Sequence, residues 1–347
     1  MNIGGTSHYI GELVAGIPNS VLATGNVQGA EREDETVNHI EVIRIPHLGR
    51  KISPLNDYKS WLELKRVVSQ FQPDIVHTHT FKAGLVGRLT PGQHKSVHTY
   101  HGHLFNDTSF SGLAQIAIKV IERYLARKTD LLISVGKKVG EELRQAGIGQ
   151  DKKWISIAPG VNQLPQYEKK FAREQLGLPV DGFLVGWMAR VTNVKNPQLL
   201  LEVARMLPDL DFVVAGGGDL LKIIEKEKGD NVRILGWTDA AIFWSAVDCA
   251  ISTSLSEGMP IALIEAQLAG LPIIATDVGS NSEFITNGET GFISQIQARD
   301  LANYLAILAH DQKLRLKMGK TAQTRAFQDF SIQKMLADHQ KVYETLG

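Results

Sequence analysis

Along the chain, short runs rich in Val, Ile and Leu alternate with longer stretches whose apolar residues recur at helical spacing. The runs are HIEVIRIP, PDIVHTH, KSVHTYH, DLLISV and KWISIAP in the first half, and GFLVGWMA, DFVVAGG, NVRILG, VDCAIST and LPIIATD in the second. Amphipathic stretches such as LNDYKSWLELKRVVSQF and SGLAQIAIKVIERYLARK lie between them. An apolar run without alternation fits a strand covered on both faces, and strands alternating with helices form parallel sheets from βαβ units. These ten runs are too many for one ordinary doubly wound sheet. PGVNQLPQYEKK breaks the pattern with two prolines, a glycine and then charge, as a linker does, and opposes an evenly spaced barrel. The predicted fold is therefore α/β: two Rossmann-like doubly wound parallel-sheet domains facing across a cleft, over residues 1–162 and 163–327. In open sheets of this kind ligands sit beyond the carboxyl ends of the strands, so residues that follow strands are the candidates for function.

Composition narrows the classes. Lys+Arg and Asp+Glu both total 37 in 347 residues, so no global field attracts nucleic acid, and none is expected as a partner. The single cysteine, Cys249, excludes an intrachain disulfide and fits a reducing compartment. No run approaches the length of a membrane span and the start lacks a signal-peptide pattern, so the expected location is cytoplasmic.

The densest chemistry follows VDCAIST, in SLSEGMPIALIEAQLAG. Gly258 permits an unusual turn, and Pro260 suits the first position of a helix whose amino end offers free amides to an anion. Glu257 stands in the loop before that helix. Glu265 lies within it among Ile261, Ala262, Leu263, Ile264, Ala266 and Leu268, where a carboxylate is costly unless hydroxyls hydrogen-bond to it. Complementing the helix dipole is the plainer role for both glutamates. After GFLVGWMA come Arg190 and Lys195, two cations able to neutralise a diphosphate, or two solvated loop charges. After DFVVA come Gly216, Gly217 and Gly218, which allow close backbone approach to a nucleotide or simply a tight turn.

Together these motifs resemble the retaining glycosyltransferases of the two-Rossmann-domain (GT-B) type, family four, the bacterial group 1 enzymes. Glu257, seven intervening residues and Glu265 within SEGMPIALIEAQLAGLPIIATDVGSNSEFI carry the resemblance, with Arg190 and Lys195 upstream and FQPDIVHTHTFKAGLVGR and TYHGHLF in the first half. The resemblance implies transfer of a hexose or N-acetylhexosamine from a nucleotide-sugar donor to a glycan, lipid-linked or small-molecule acceptor. A UDP-sugar is the first expectation and GDP-mannose the second. It further implies retention of anomeric configuration, no cofactor and no metal, and polysaccharide biosynthesis as the setting. Arg190 and Lys195 would grip the diphosphate. Glu257 would bind the transferred sugar, with the backbone of Gly258, Met259, Pro260 and Ile261 positioning it, and Glu265 would take the ribose hydroxyls. His101 would face the sugar or acceptor, and Gly4 and Gly5 would bring backbone to the donor phosphates. One departure is the loop Gly279-Ser280-Asn281, where the family often has two glycines.

Five histidines, His77, His79, His98, His101 and His103, follow two first-domain strands. His77 and His79 share a side of their strand, which raises a metal site, although hydrogen-bonded structural imidazoles are commoner. The chain opens directly on NIGGTSHYIGELV, so the strand that the family places before this loop is expected to be missing. SGLAQIAIKVIERYLARK reads first as a packed surface helix and second as a weak contact with an anionic membrane. The final segment, 328–347, is expected to cross back to the first domain as a helix. Two other functions fit the same cleft: a nucleotide-sugar epimerase, and a nucleotide-sugar-binding protein without catalysis.

Overall fold

A computed structural model describes residues 4–27, 33–49, 53–102 and 112–346. It divides into two compact units, one made of residues 1–160 and 332–347, the other of 161–331. Among the described residues no helix is long and apolar enough to cross a membrane.

In the N-terminal unit a two-stranded parallel sheet joins β1 (Leu22–Thr24) to β2 (Val42–Arg44). A separate four-stranded parallel sheet runs β3 (Ile75–His79), β4 (Lys95–Tyr100), β5 (Leu131–Ser134) and β6 (Trp154–Ser156) in that order. Val97, Leu131, Leu132 and Ile133 are almost wholly buried, as strands covered on both faces must be. The helix Ile332–Glu344 belongs to this unit: Leu336 lies against Gly16, and the Gly160 amide points at the Met335 sulfur.

The C-terminal unit holds a six-stranded parallel sheet: β7 (Leu184–Met188), β8 (Asp211–Ala215), β9 (Val232–Gly236), β10 (Cys249–Ser252), β11 (Ile273–Thr276) and β12 (Gly291–Ser294). Their spatial order is β12-β11-β10-β7-β8-β9. The chain starts at the centre, winds outward through β8 and β9, then returns to the other side of β7. This is the doubly wound Rossmann order, and it puts the switch point between β7 and β10, the place where sheets of this order bind ligands. Cys249 pairs with Val185 and Ala250 with Gly186 across that junction.

Ten of these strands fall on the runs read from the sequence; β1 and β12 do not. β1 has three residues, mostly half-buried, and β12 begins at a glycine, so neither shows the continuous apolar signature. Pro260 is also displaced from its expected place. It precedes the helix Ile261–Leu268 with an extended backbone (ψ 114°), and its carbonyl accepts the first helical bonds from Leu263 and Ile264.

Candidate active site

At the switch point the loops leaving β7 and β10 are sewn together. The Leu255 amide donates to the Val194 carbonyl at 2.8 Å, and the Thr253 hydroxyl donates to the carbonyls of Lys195 and Asn196, both at 3.0 Å. Trp187, buried in β7, donates its indole N–H to the same hydroxyl at 3.1 Å. Asn196 takes a left-handed conformation (φ 49°), and Pro197 then opens the next helix, where its fixed φ is favourable and its missing N–H costs nothing. The short turn Asn193–Lys195 is thereby fixed, and with it the root of the Lys195 side chain.

Lys195 Nζ lies 2.6 Å from Glu257 Oε1, and the Ser254 hydroxyl donates to the same oxygen at 2.6 Å. The two charged side chains are 19% and 7% exposed, so the pair is largely shielded and needs its partners. An ammonium has three N–H donors; one goes to Glu257, which leaves two for oxygens of a ligand. Glu257 Oε2 accepts no hydrogen bond from the described residues. The loop after β11 closes over this cluster. The Ser280 amide donates to the Gly258 carbonyl at 3.0 Å, and Gly279, at φ +52°, runs so close that any side chain there would strike the Glu257 carbonyl. Thr276 donates to the Ser254 carbonyl at 2.7 Å. Ser280 Oγ and Asn281 Oδ1 are buried without a hydrogen-bond partner.

Glu265 stands on the helix Ile261–Leu268, half-buried, with the Trp244 indole N–H 3.4 Å from Oε2. Desolvation pushes its carboxyl up to about 7, only partly countered by the Trp244 bond, with Asp239 adding to the rise. Arg190 is exposed, at the start of the loop from β7. Thus Lys195 and Glu257 are in direct contact, Gly258 is tied to them through Ser280, and Arg190 shares their strand end. Glu265, on the helix that follows, has the Trp244 indole as its hydrogen-bond partner. Met259, Pro260 and Ile261 are half-buried along the same turn. Gly217 faces the Trp237 indole, where a Cβ would stand 2.6 Å from Nε1 unless that exposed ring shifted. Ser254 and Trp244 escaped the sequence reading; Ser254, three residues before Glu257, was the more visible of the two.

In the N-terminal unit, Gly4 and Gly5 begin the helix Gly5–Gly16, and both are exposed. His101 follows β4, with Nε2 3.0 Å from His79 Nδ1 and the Tyr9 ring edge-on at 4.8 Å. His77 bonds the Tyr343 hydroxyl at 2.6 Å and the Thr99 hydroxyl at 2.7 Å. Tyr9 OH meets His339 at 3.0 Å, and His98 meets the Thr78 hydroxyl at 2.8 Å. Burial holds all five imidazoles below their ordinary range, His339 at about 4 and His101 at about 3, with neighbouring imidazoles adding to the drop for His77, His79 and His101. Among the described residues no group of three His, Cys, Asp or Glu is arranged to hold a metal, and both nitrogens of His77 are already engaged. His103 lies outside the described residues. One Asp-x-Asp run does occur, Asp209-Leu210-Asp211, but it opens β8 at the opposite end of the sheet from Lys195 and Glu257, and Asp211 faces Arg233 at 3.6 Å.

A doubly wound sheet with paired charges at its switch point, beside a second parallel-sheet unit, is the framework of the GT-B glycosyltransferases. Residues 168–325 match the family described as glycosyl transferases group 1, and residues 4–160 match the glycosyl transferase 4-like domain. The chain belongs to the group 1 glycosyltransferases and is a glycosyltransferase enzyme. It is 29% identical over 322 residues to the UDP-Gal:alpha-D-GlcNAc-diphosphoundecaprenol alpha-1,3-galactosyltransferase of Escherichia coli, covering 86% of this chain and 82% of that protein. It is 28% identical over 286 residues to the D-inositol 3-phosphate glycosyltransferase of Streptomyces avermitilis, covering 73% and 61%. Among solved structures, the sucrose-phosphate synthase of Thermosynechococcus elongatus superimposes with a TM-score of 0.87 at 22% identity, over 100% of this chain and 96% of that one. Anabaena HepE, in complex with UDP and glucose, superimposes at 0.85 and 18% identity, over 99% and 96%.

Proposed function

We propose that the enzyme transfers a hexose or N-acetylhexosamine from a UDP-sugar, with retention and without a metal, to a lipid-linked or other glycan acceptor. The observation that carries this reading is the Lys195–Glu257–Ser254 cluster at the switch point. When the bond from the anomeric carbon to the diphosphate oxygen breaks and the acceptor oxygen bonds to that carbon, negative charge builds on the departing phosphate oxygens, which can take up the acceptor's hydroxyl proton. Fixed cations aimed at that position stabilise the transition state more than the ground state. Lys195, oriented by Glu257, and Arg190 fill this role in place of a divalent ion. Glu257 Oε2 accepts from a hydroxyl of the transferred sugar, and Glu265 accepts from the ribose diol, whose two O–H groups would hold it as carboxylate. His101 orients the sugar or acceptor.

The choice of UDP rests on the name of the E. coli relative and on the UDP complex of HepE, and the lipid-linked acceptor on that relative's diphosphoundecaprenol substrate. Cysteine usage favours the cytoplasm as the place of reaction.

The test is nucleotide release from a panel of UDP- and GDP-sugars, with and without a lipid-diphosphate glycan acceptor, and assignment of the product anomer by NMR. Acceptor-dependent UDP release giving a product of the donor's configuration, unchanged by a chelator, is expected. Acceptor-free isomerisation, or UDP binding without turnover, would overturn the reading.

A further inference from the structure

The helix Gly112–Arg127 in the N-terminal unit is apolar on two opposite faces. Ile118, Leu125 and Ala126 are buried against the unit. On the other side Leu113, Ile116, Val120 and Tyr124 recur at i, i+3, i+7 and i+11, and they are 82%, 61%, 56% and 51% exposed. At about 100° per residue these four fall within one sector of roughly 80°, on the reverse of the buried row. Scattered exposed apolar residues need no cause, but a continuous stripe of four marks a surface that is covered in use.

The charges around the stripe say what covers it. Arg127 lies within the same sector and Lys128, just past the helix end, stands beside it; Arg123 flanks the other side with its guanidinium donating to the Ala146 carbonyl, and all three are exposed. The helix has one acidic residue, Glu122, and it is buried, bonded by Arg88 at 2.9 Å and by the Tyr100 hydroxyl at 2.6 Å. From the residues of this helix, the face therefore presents apolar side chains with positive charge beside them, the helix's one carboxylate being buried. A second copy packed on it would set cations against cations. A bilayer with anionic headgroups satisfies both features: the apolar stripe enters the acyl boundary while Arg and Lys meet the headgroups.

We propose that this helix docks the protein, lying in the plane of the interface, on an anionic lipid surface. The inference rests on the N-terminal unit alone and is read without turnover, so it stands or falls separately from the donor site.

Co-sedimentation with phosphatidylglycerol–phosphatidylcholine vesicles and with pure phosphatidylcholine vesicles, at low and high salt, tests it. The full-length protein is expected to bind the anionic vesicles at low salt and to be released at high salt. Replacing the stripe by Ile116→Gln with Val120→Gln should weaken that binding about tenfold or more. Arg127→Gln with Lys128→Gln should weaken it by about fivefold per charge on anionic vesicles. Both variants change exposed side chains, so an unaltered melting temperature confirms that each is folded. No binding by the parent protein, or binding that neither variant changes, would overturn the proposal. So would a lipid-free dimer that the stripe variant dissolves, since the face would then belong to a second copy.

Discussion

Both halves of the molecule are built on parallel strands, in different orders, and they bury opposite chemistry at the carboxyl ends of those strands. Beyond β7 and β10 the C-terminal unit holds an ammonium against a carboxylate, with a second, isolated carboxyl on the helix that follows. Beyond β3 and β4 the N-terminal unit holds His79 and His101, kept neutral, inside a cluster with His77, His339, Tyr9 and Tyr343. Charge that must be balanced suits a site that meets a charged ligand. Neutral imidazoles linked by hydrogen bonds suit a rigid wall that meets hydroxyls. The two arrangements answer acid in opposite senses, and that difference can be measured.

The largest expected effect is at the charged end. Lys195→Ala should lower kcat/KM by about 10²–10³, the usual scale for removing one fixed donor from developing charge. UDP release under subsaturating donor reads it, and a loss smaller than about threefold would remove Lys195 from the diphosphate role.

Next is the contrast in acid. The five imidazoles are depressed in the folded state, so they bind protons mainly in the unfolded chain once the pH falls below about 6.5. Their contribution is fully present above that value and is lost as pH falls toward about 4 for His339 and about 3 for His101. Glu265 runs the other way. Raised from 4.5 to about 7, it holds its proton in the folded state, so its contribution is greatest at low pH and declines as pH rises through about 7. Hydrogen exchange at mildly acidic and neutral pH, corrected for intrinsic rates, should show β3 and β4 losing protection in acid while the helix Ile261–Leu268 does not. Equal loss in both halves would erase the distinction.

A subtler sign is the pH dependence of nucleotide binding. If the ribose diol prefers the carboxylate, UDP affinity should rise by roughly tenfold between about pH 6 and pH 8, and Glu265→Gln should flatten the profile. Isothermal titration in buffers of different ionisation enthalpy would also detect the released proton. A flat profile in the parent enzyme would take Glu265 away from the ribose.

The smallest effect belongs to Ser280, whose buried hydroxyl has no partner. Ser280→Ala should leave stability unchanged or raise it by up to about 1 kcal/mol, because an unsatisfied polar group is removed. Thermal melting decides it. A loss of more than about 1 kcal/mol would mean that the hydroxyl is engaged.

What could be read from the sequence follows the same physical division. Strands buried on both faces announce themselves as unbroken apolar runs, which is why β10 and β11 were legible and the three-residue β1 was not. Glu265 was conspicuous as a charge among Ile264, Ala266 and Leu268. Trp244, which bonds it, looked like any core aromatic, since its partner is decided by how two helices pack. His77 and His79 could be placed on one side of a strand by alternation alone. That His339 joins their cluster could not be seen, because Tyr9 and His339 meet only after 330 residues of chain have folded. The ion pair of Lys195 and Glu257, 62 residues apart, likewise depends on β10 returning beside β7, a topological choice that local pattern does not encode.

Cys249 sits in β10 at that same junction, fully buried, its thiol pushed far up by burial and by the nearby Asp248. As the sole sulfhydryl of the chain, it makes the central sheet its own stopwatch. A thiol reagent can react only after β10 parts from its neighbours, so the labelling rate of the untouched protein reports how often the donor half opens, and a bound nucleotide should slow the clock.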